Sequence, residues 1–122
     1  PAFVPPDVAR KRGNVLRPWD VERLRDKWVP SVETVYIGAA GIWSRRTLAS
    51  RLRDLARHAW GMTGTNGPHK GGEILWQLEG FEVFEVGYLP TGGPPAPREL
   101  ERVLLRAFKR ATGSLPFGNR RY

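Results

Sequence analysis

The sequence contains no cysteine, which excludes disulfide scaffolds, thiolate metal sites and cysteine nucleophiles. Histidine is almost missing too: His58 and His69 are the only two, too few for a multi-histidine metal site. No uncharged apolar run approaches the roughly 20 residues of a membrane span, and no signal-peptide pattern opens the chain. Repeats and low-complexity tracts are absent. A soluble, cytoplasmic protein with no membrane partner is the expectation. Acidic residues are scarce, with 12 Asp+Glu against 20 Lys+Arg and a formal charge of +8.

What is present fits one domain, since 122 residues leave no room for a second. Forty per cent of the chain is apolar, including five Trp and five Phe, enough for a modest core. Fourteen glycines and eleven prolines predict generous loops. Sixteen of the twenty basic residues are arginine. The planar guanidinium fork grips phosphate at two points, so the excess suggests a polyanion partner, with plain solubility as the blander reading.

Residues 1–18 are rich in proline and basic side chains without periodicity, and read as an irregular N-terminal arm. Residues 19–122 form the domain. Asp20 is placed as the N-cap of a short helix carrying Val21, Leu24 and Trp28 along one face and ending before Pro30. The β-branched run from Val32 to Gly38 predicts a strand. Ser44 or Thr47 caps a helix whose buried stripe is Leu48, Leu52 and Leu55. Residues 61–72 are a polar loop, and Glu73 to Leu78 read as a short apolar helix, with a strand as the alternative. Phe81 to Tyr88 alternate as a half-buried strand. Pro97 opens a last helix that runs to about Thr112. These elements add up to an α/β (α+β) fold, a small central antiparallel β-sheet flanked by helices.

Helical angles of about 100° per residue locate the chemistry. On the last helix Leu100, Val103, Leu104, Ala107, Phe108 and Ala111 fill one arc, and Arg102, Arg106, Lys109 and Arg110 lie opposite with Glu99. Glu101 falls inside the apolar side, between Phe108 and Leu105. A carboxylate there is costly unless it is paired, hydrogen-bonded or bound to a cation. Alternatively, its place early in the helix lets the macrodipole and solvent accommodate it. On the earlier helix Arg46, Arg53 and Arg57 share a face, either solvated or laid against a phosphate backbone. Arg51 flanks the leucine stripe and needs an acceptor: an acid such as Glu101, or a substrate phosphate. His58, near the helix end, reads as structural. His69 and Lys70 sit in the polar loop, where a binding role is more common.

Tyr36-Ile37-Gly38 closing a strand, Arg51 on the next helix, Glu101 on the last helix and Pro116-Phe-Gly-Asn119 follow the order seen in the GIY-YIG nuclease superfamily. The segment His69-Lys-Gly-Gly-Glu-Ile-Leu-Trp76-Gln77-Leu78 also resembles a small bacterial branch. The resemblance covers Trp28 to Arg121. It implies cleavage of DNA, with RNA left open, at a site holding one divalent ion, Mg²⁺ or Mn²⁺. It further implies that Glu101 ligates the metal, Arg51 steadies phosphate charge, Tyr36 positions or activates water, and Asn119 holds the site together. Arg46, Arg53, Arg57, His69 and Lys70 become candidate nucleic-acid contacts.

Two departures stand out. No Gly-Ile-Tyr precedes Tyr36, so either the chain starts after that strand or Ala2-Phe3-Val4 is its remnant. Leu55 stands one turn after Arg51, where many members carry His or Tyr. The expected function is a metal-dependent endonuclease. A catalytically degenerate nucleic-acid-binding module and a protein-interaction domain are the alternatives.

Overall fold

The computed structural model describes residues 1–12, 15, 17–41, 47–60, 73–93 and 96–120. Among the described residues four helices are present: α1 (Pro6–Arg12), α2 (Val21–Lys27), α3 (Leu48–Ala59) and α4 (Ala96–Thr112). Among the described residues, two 3₁₀ turns, Glu73–Gln77 and Phe81–Val83, lie between α3 and α4. Local signals explain the boundaries. Thr47 caps α3, its hydroxyl accepting the Ser50 N–H at 3.1 Å. Gly113, at φ 85°, ends α4 in the left-handed conformation that glycine adopts without strain. α2 stops at Lys27, short of Pro30, as expected. Among the described residues no helix is long and apolar enough to cross a membrane.

The expected central antiparallel sheet is absent among the described residues. Among the described residues the β-pairing is a single antiparallel bridge, Phe3 to Leu78. The Val32–Gly38 segment is extended but is not a strand. Its backbone groups are taken by the C-terminal turn: Gly118 N–H donates to the Val35 carbonyl at 2.7 Å, and Ile37 bonds to the Asn119 side chain. At Phe81 the left-handed Gly80 (φ 82°) starts a 3₁₀ turn instead of a strand. The rest of that stretch stays open, with Val86 60% and Tyr88 72% exposed. β-branched and aromatic residues favour a pleated surface only where a neighbouring strand completes it.

Within the stretch expected to be an irregular arm, Pro6–Arg12 form a helix. Pro6 supplies the fixed φ of a first helical residue, Asp7 favours the N-terminal dipole, and Arg10, Lys11 and Arg12 favour the C-terminal one. Phe3, Val4, Ala9 and Val15 are buried in the core. They pack around Ile74, Leu75, Trp76 and Leu78, together with Leu24, Ala59, Phe81 and Phe117. Phe3, Trp28 and Phe117 form an aromatic cluster with ring centroids 5.4–6.1 Å apart.

Gln77 sits in this core with its amide fully used. Its Oε1 accepts the Trp19 N–H at 2.8 Å, and its Nε2 donates to the carbonyls of Trp19 and Val4. His58 is buried as a structural residue, its Nδ1 accepting the Trp76 indole N–H at 3.1 Å. α4 differs from its apolar arc. Leu105 is fully buried with Glu101 and Phe108 half-buried beside it, whereas Val103 is 59% and Leu104 45% exposed. The inward face therefore centres on Glu101 and Leu105, about a quarter-turn from the arc the apolar residues define.

Candidate active site

Tyr36 lies on the extended segment that leaves α2. Its ring folds back over the chain, so that a Cβ at Gly38 would meet Tyr36 Cε1 at 2.8 Å and its hydroxyl at 3.0 Å. A Cβ at Gly118 would meet Tyr36 Cδ2 at 3.1 Å, and Leu75 at 2.8 Å. Two glycines thus form the slot that holds the ring. The tyrosine–isoleucine–glycine order has a local physical reason here: the third position must lack a side chain for the first to lie flat.

Asn119 fixes the backbone beside that ring. Its Oδ1 accepts the Ile37 N–H at 2.9 Å, and its Nδ2 donates to the Ile37 carbonyl at 2.8 Å. The whole turn Pro116–Asn119 is buried, which leaves the amide a single orientation. Lys27, at the end of α2, donates its Nζ to the Asn119 carbonyl at 2.5 Å.

Arg51, in the first turns of α3, and Glu101, in the second turn of α4, complete the group. Both act electrostatically on Tyr36, and Arg51 acts on Glu101 as well. Residues 36, 51 and 101 are thus gathered from three separate segments. Glu101 accepts a hydrogen bond from the Ala39 N–H, which ties α4 to the Tyr36 segment.

Burial raises the Glu101 carboxyl above its ordinary value; Arg98, the Ala39 N–H, Arg51 and Arg102 oppose that rise. Burial also raises the Tyr36 phenol, with Arg51 lowering and Glu101 further raising it. The phenol is therefore protonated at neutral pH and has a proton to donate.

The other sequence candidates are scattered. Arg53 and Arg57 are exposed on α3. Arg46, His69 and Lys70 lie outside the described residues. His58, one turn beyond Leu55, is committed to Trp76 and packs edge-on against its ring at 6.2 Å. Sequence reading missed Lys27, Gly118 and the two arginines flanking Glu101. Arg98 was within reach, since it precedes Glu101 by three residues on a helix. Lys27 carries no such signal, because its partner lies 92 residues away.

Among the described residues no group of three or more His, Cys, Asp or Glu is placed to hold a metal ion. The donor set is one carboxylate with arginines around it. Such a set fits a hard divalent cation only together with phosphate and water oxygens, which Mg²⁺ accepts readily. No family model, no curated protein and no solved structure matches the chain.

Proposed function

We propose that the chain is a metal-dependent endonuclease that hydrolyses phosphodiester bonds of DNA, with a site arranged as in the GIY-YIG nucleases although the sheet of that family is not seen here. The observation that carries this reading is the gathering of Tyr36, Arg51 and Glu101 into one electrostatically coupled group, braced by Asn119. A carboxylate kept among arginines serves little purpose for packing and suits a ligand carrying both phosphate and cation.

In this reading Glu101 holds Mg²⁺ or Mn²⁺, which when bound supplies positive charge to the phosphate oxygens. Arg51 presents a fixed guanidinium to the charge that grows on phosphorus oxygens during in-line attack. The protonated Tyr36 hydroxyl donates a hydrogen bond and orients the attacking water; it does not take that water's proton. Asn119 and the two flanking glycines hold the phenol in place. Arg98 and Arg102 oppose the rise that burial gives the Glu101 carboxyl.

Plasmid nicking with Mg²⁺ or Mn²⁺ tests the reading, with wild type beside Glu101→Ala and Glu99→Ala. Glu99 is exposed on the outer side of α4 and serves as the control. Nicking that depends on metal and disappears only in Glu101→Ala supports the assignment. A Glu101→Ala protein that cuts at the wild-type rate overturns it. Plasmid retarded on a gel but never cut favours the catalytically degenerate binding module instead.

A further inference from the structure

α2 and the C-terminal turn bring three cations together beside the candidate site. Arg23 and Lys27, four residues apart, share one face of α2. Arg23 stacks on the half-buried Trp19 indole, its Cζ 3.5 Å from the ring centroid. Arg120 approaches the same ring at 5.5 Å. Lys27 reaches the carbonyl of Asn119, the residue immediately before Arg120.

Among the described residues, the acid in ion-pair range of this cluster is Glu73, 3.7 Å from Arg120. Its other oxygen already accepts the Arg17 N–H at 3.0 Å. Burial, and then the Arg120 charge, lower the Lys27 ammonium below its ordinary value, so the two cations are held close enough to repel. Three cations gathered around one acid mark a place that an anion stabilises. A guanidinium held over an indole keeps its N–H donors for a forked contact to phosphate.

We propose that Arg23, Lys27 and Arg120, arranged around Trp19, form a second phosphate subsite that grips the nucleic-acid backbone next to the Tyr36–Arg51–Glu101 group. Two short links join the subsites. Asn119 bonds to Ile37 through its side chain and to Lys27 through its carbonyl, so one residue registers both. The subsite holds a flanking phosphate while Arg51 meets the one being cut. The ligand class rests on the nuclease reading; the grip itself does not require cutting.

Anisotropy of a labelled DNA duplex in EDTA, followed over a salt series, tests the subsite. Arg23→Gln/Arg120→Gln removes two exposed cations and leaves the Lys27 bond intact. Arg10→Gln/Arg12→Gln on α1 removes the same charge from exposed positions elsewhere. The first variant is expected to lower the slope of log K against log salt by about two, because each phosphate contact contributes about 0.9. The α1 variant should change it by less than about half a unit. From about 50 to about 200 mM salt, wild-type affinity then falls about tenfold further than that of the Arg23/Arg120 variant.

Equal slope changes in the two variants, or none in the first, overturn the proposal. Displacement of duplex by low-millimolar inorganic phosphate at matched ionic strength overturns the backbone assignment in favour of a free-phosphate site. A wild type that nicks DNA with the slope unchanged in Arg23→Gln/Arg120→Gln loses the subsite alone. One that never nicks, yet shows the slope difference, loses the nuclease reading and keeps the subsite.

Discussion

Replacing Asn119 with alanine removes both hydrogen bonds that hold Ile37, one to its N–H and one to its carbonyl. Stranding a buried donor or acceptor costs about 1–3 kcal/mol each. Ile37 is only half-buried, so water can reach part of this backbone and the lower half of that range applies. The expected loss is about 2–4 kcal/mol, or on the order of 10 °C in melting temperature for a domain of this size. Urea unfolding followed by tryptophan fluorescence measures it, with Trp28 against Phe117 as a reporter near the turn. The midpoint should fall while the denaturant slope stays constant. Asn119→Asp keeps the acceptor for the Ile37 N–H but sets a second oxygen against its carbonyl, so it should recover no more than half of the loss. A change below about 0.5 kcal/mol in Asn119→Ala would refute the clamp, since that is the size of an ordinary surface substitution.

Three further outcomes follow from the same geometry. Gly38→Ala forces the Tyr36 ring out of its slot; the ring is the movable partner, so nicking should fall at least tenfold while the melting temperature changes by only a few degrees, and a fully active variant would show that ring placement is irrelevant. Trp76→Phe takes the indole donor from buried His58 Nδ1, which should cost about 1–3 kcal/mol in urea unfolding. Glu101→Gln keeps an acceptor for the Ala39 N–H and removes a carboxyl whose folded-state pKa lies above the ordinary 4.5. The folded protein then holds a proton that the unfolded chain has already released, so wild-type stability drops as pH rises through that window. The variant should melt above wild type at neutral pH, with the gap closing below pH 4.5; a gap that is constant with pH would contradict the burial argument.

The helices were legible because their signals are local. Thr47, Pro97 and the leucine spacing placed α3 and α4 nearly to the residue. The sheet was misread because strand formation depends on a partner, and the partner of residues 35–37 is a turn whose amide side chain imitates a neighbouring strand. α1 was missed because seven residues of proline, charge and a single buried alanine carry no periodicity. Glu101 stood out as a carboxylate on an apolar side, and it does turn inward. The rotation of α4 that exposes Val103 and Leu104 could not be read from composition, since it follows from what Glu101 and Leu105 meet across the fold. Gln77 and Glu73 drew no attention as polar residues in a core segment, because their partners, Trp19 and Arg17, lie more than fifty residues away.

The bond between Asn119 and Ile37 spans 82 residues, and that between Lys27 and Asn119 spans 92. Such closures form late, because the chain must first give up the entropy of a long loop. On a ribosome that emits about 5–20 residues per second, the Tyr36 segment waits several seconds for the residue that orders it. During that interval α3 and its arginines can form, but the assembled group cannot. Translation therefore acts as a timer for the arrangement described here. A single cut between Ile37 and Asn119 would also turn an internal closure into an encounter between two pieces, and the arrangement would then depend on their concentration.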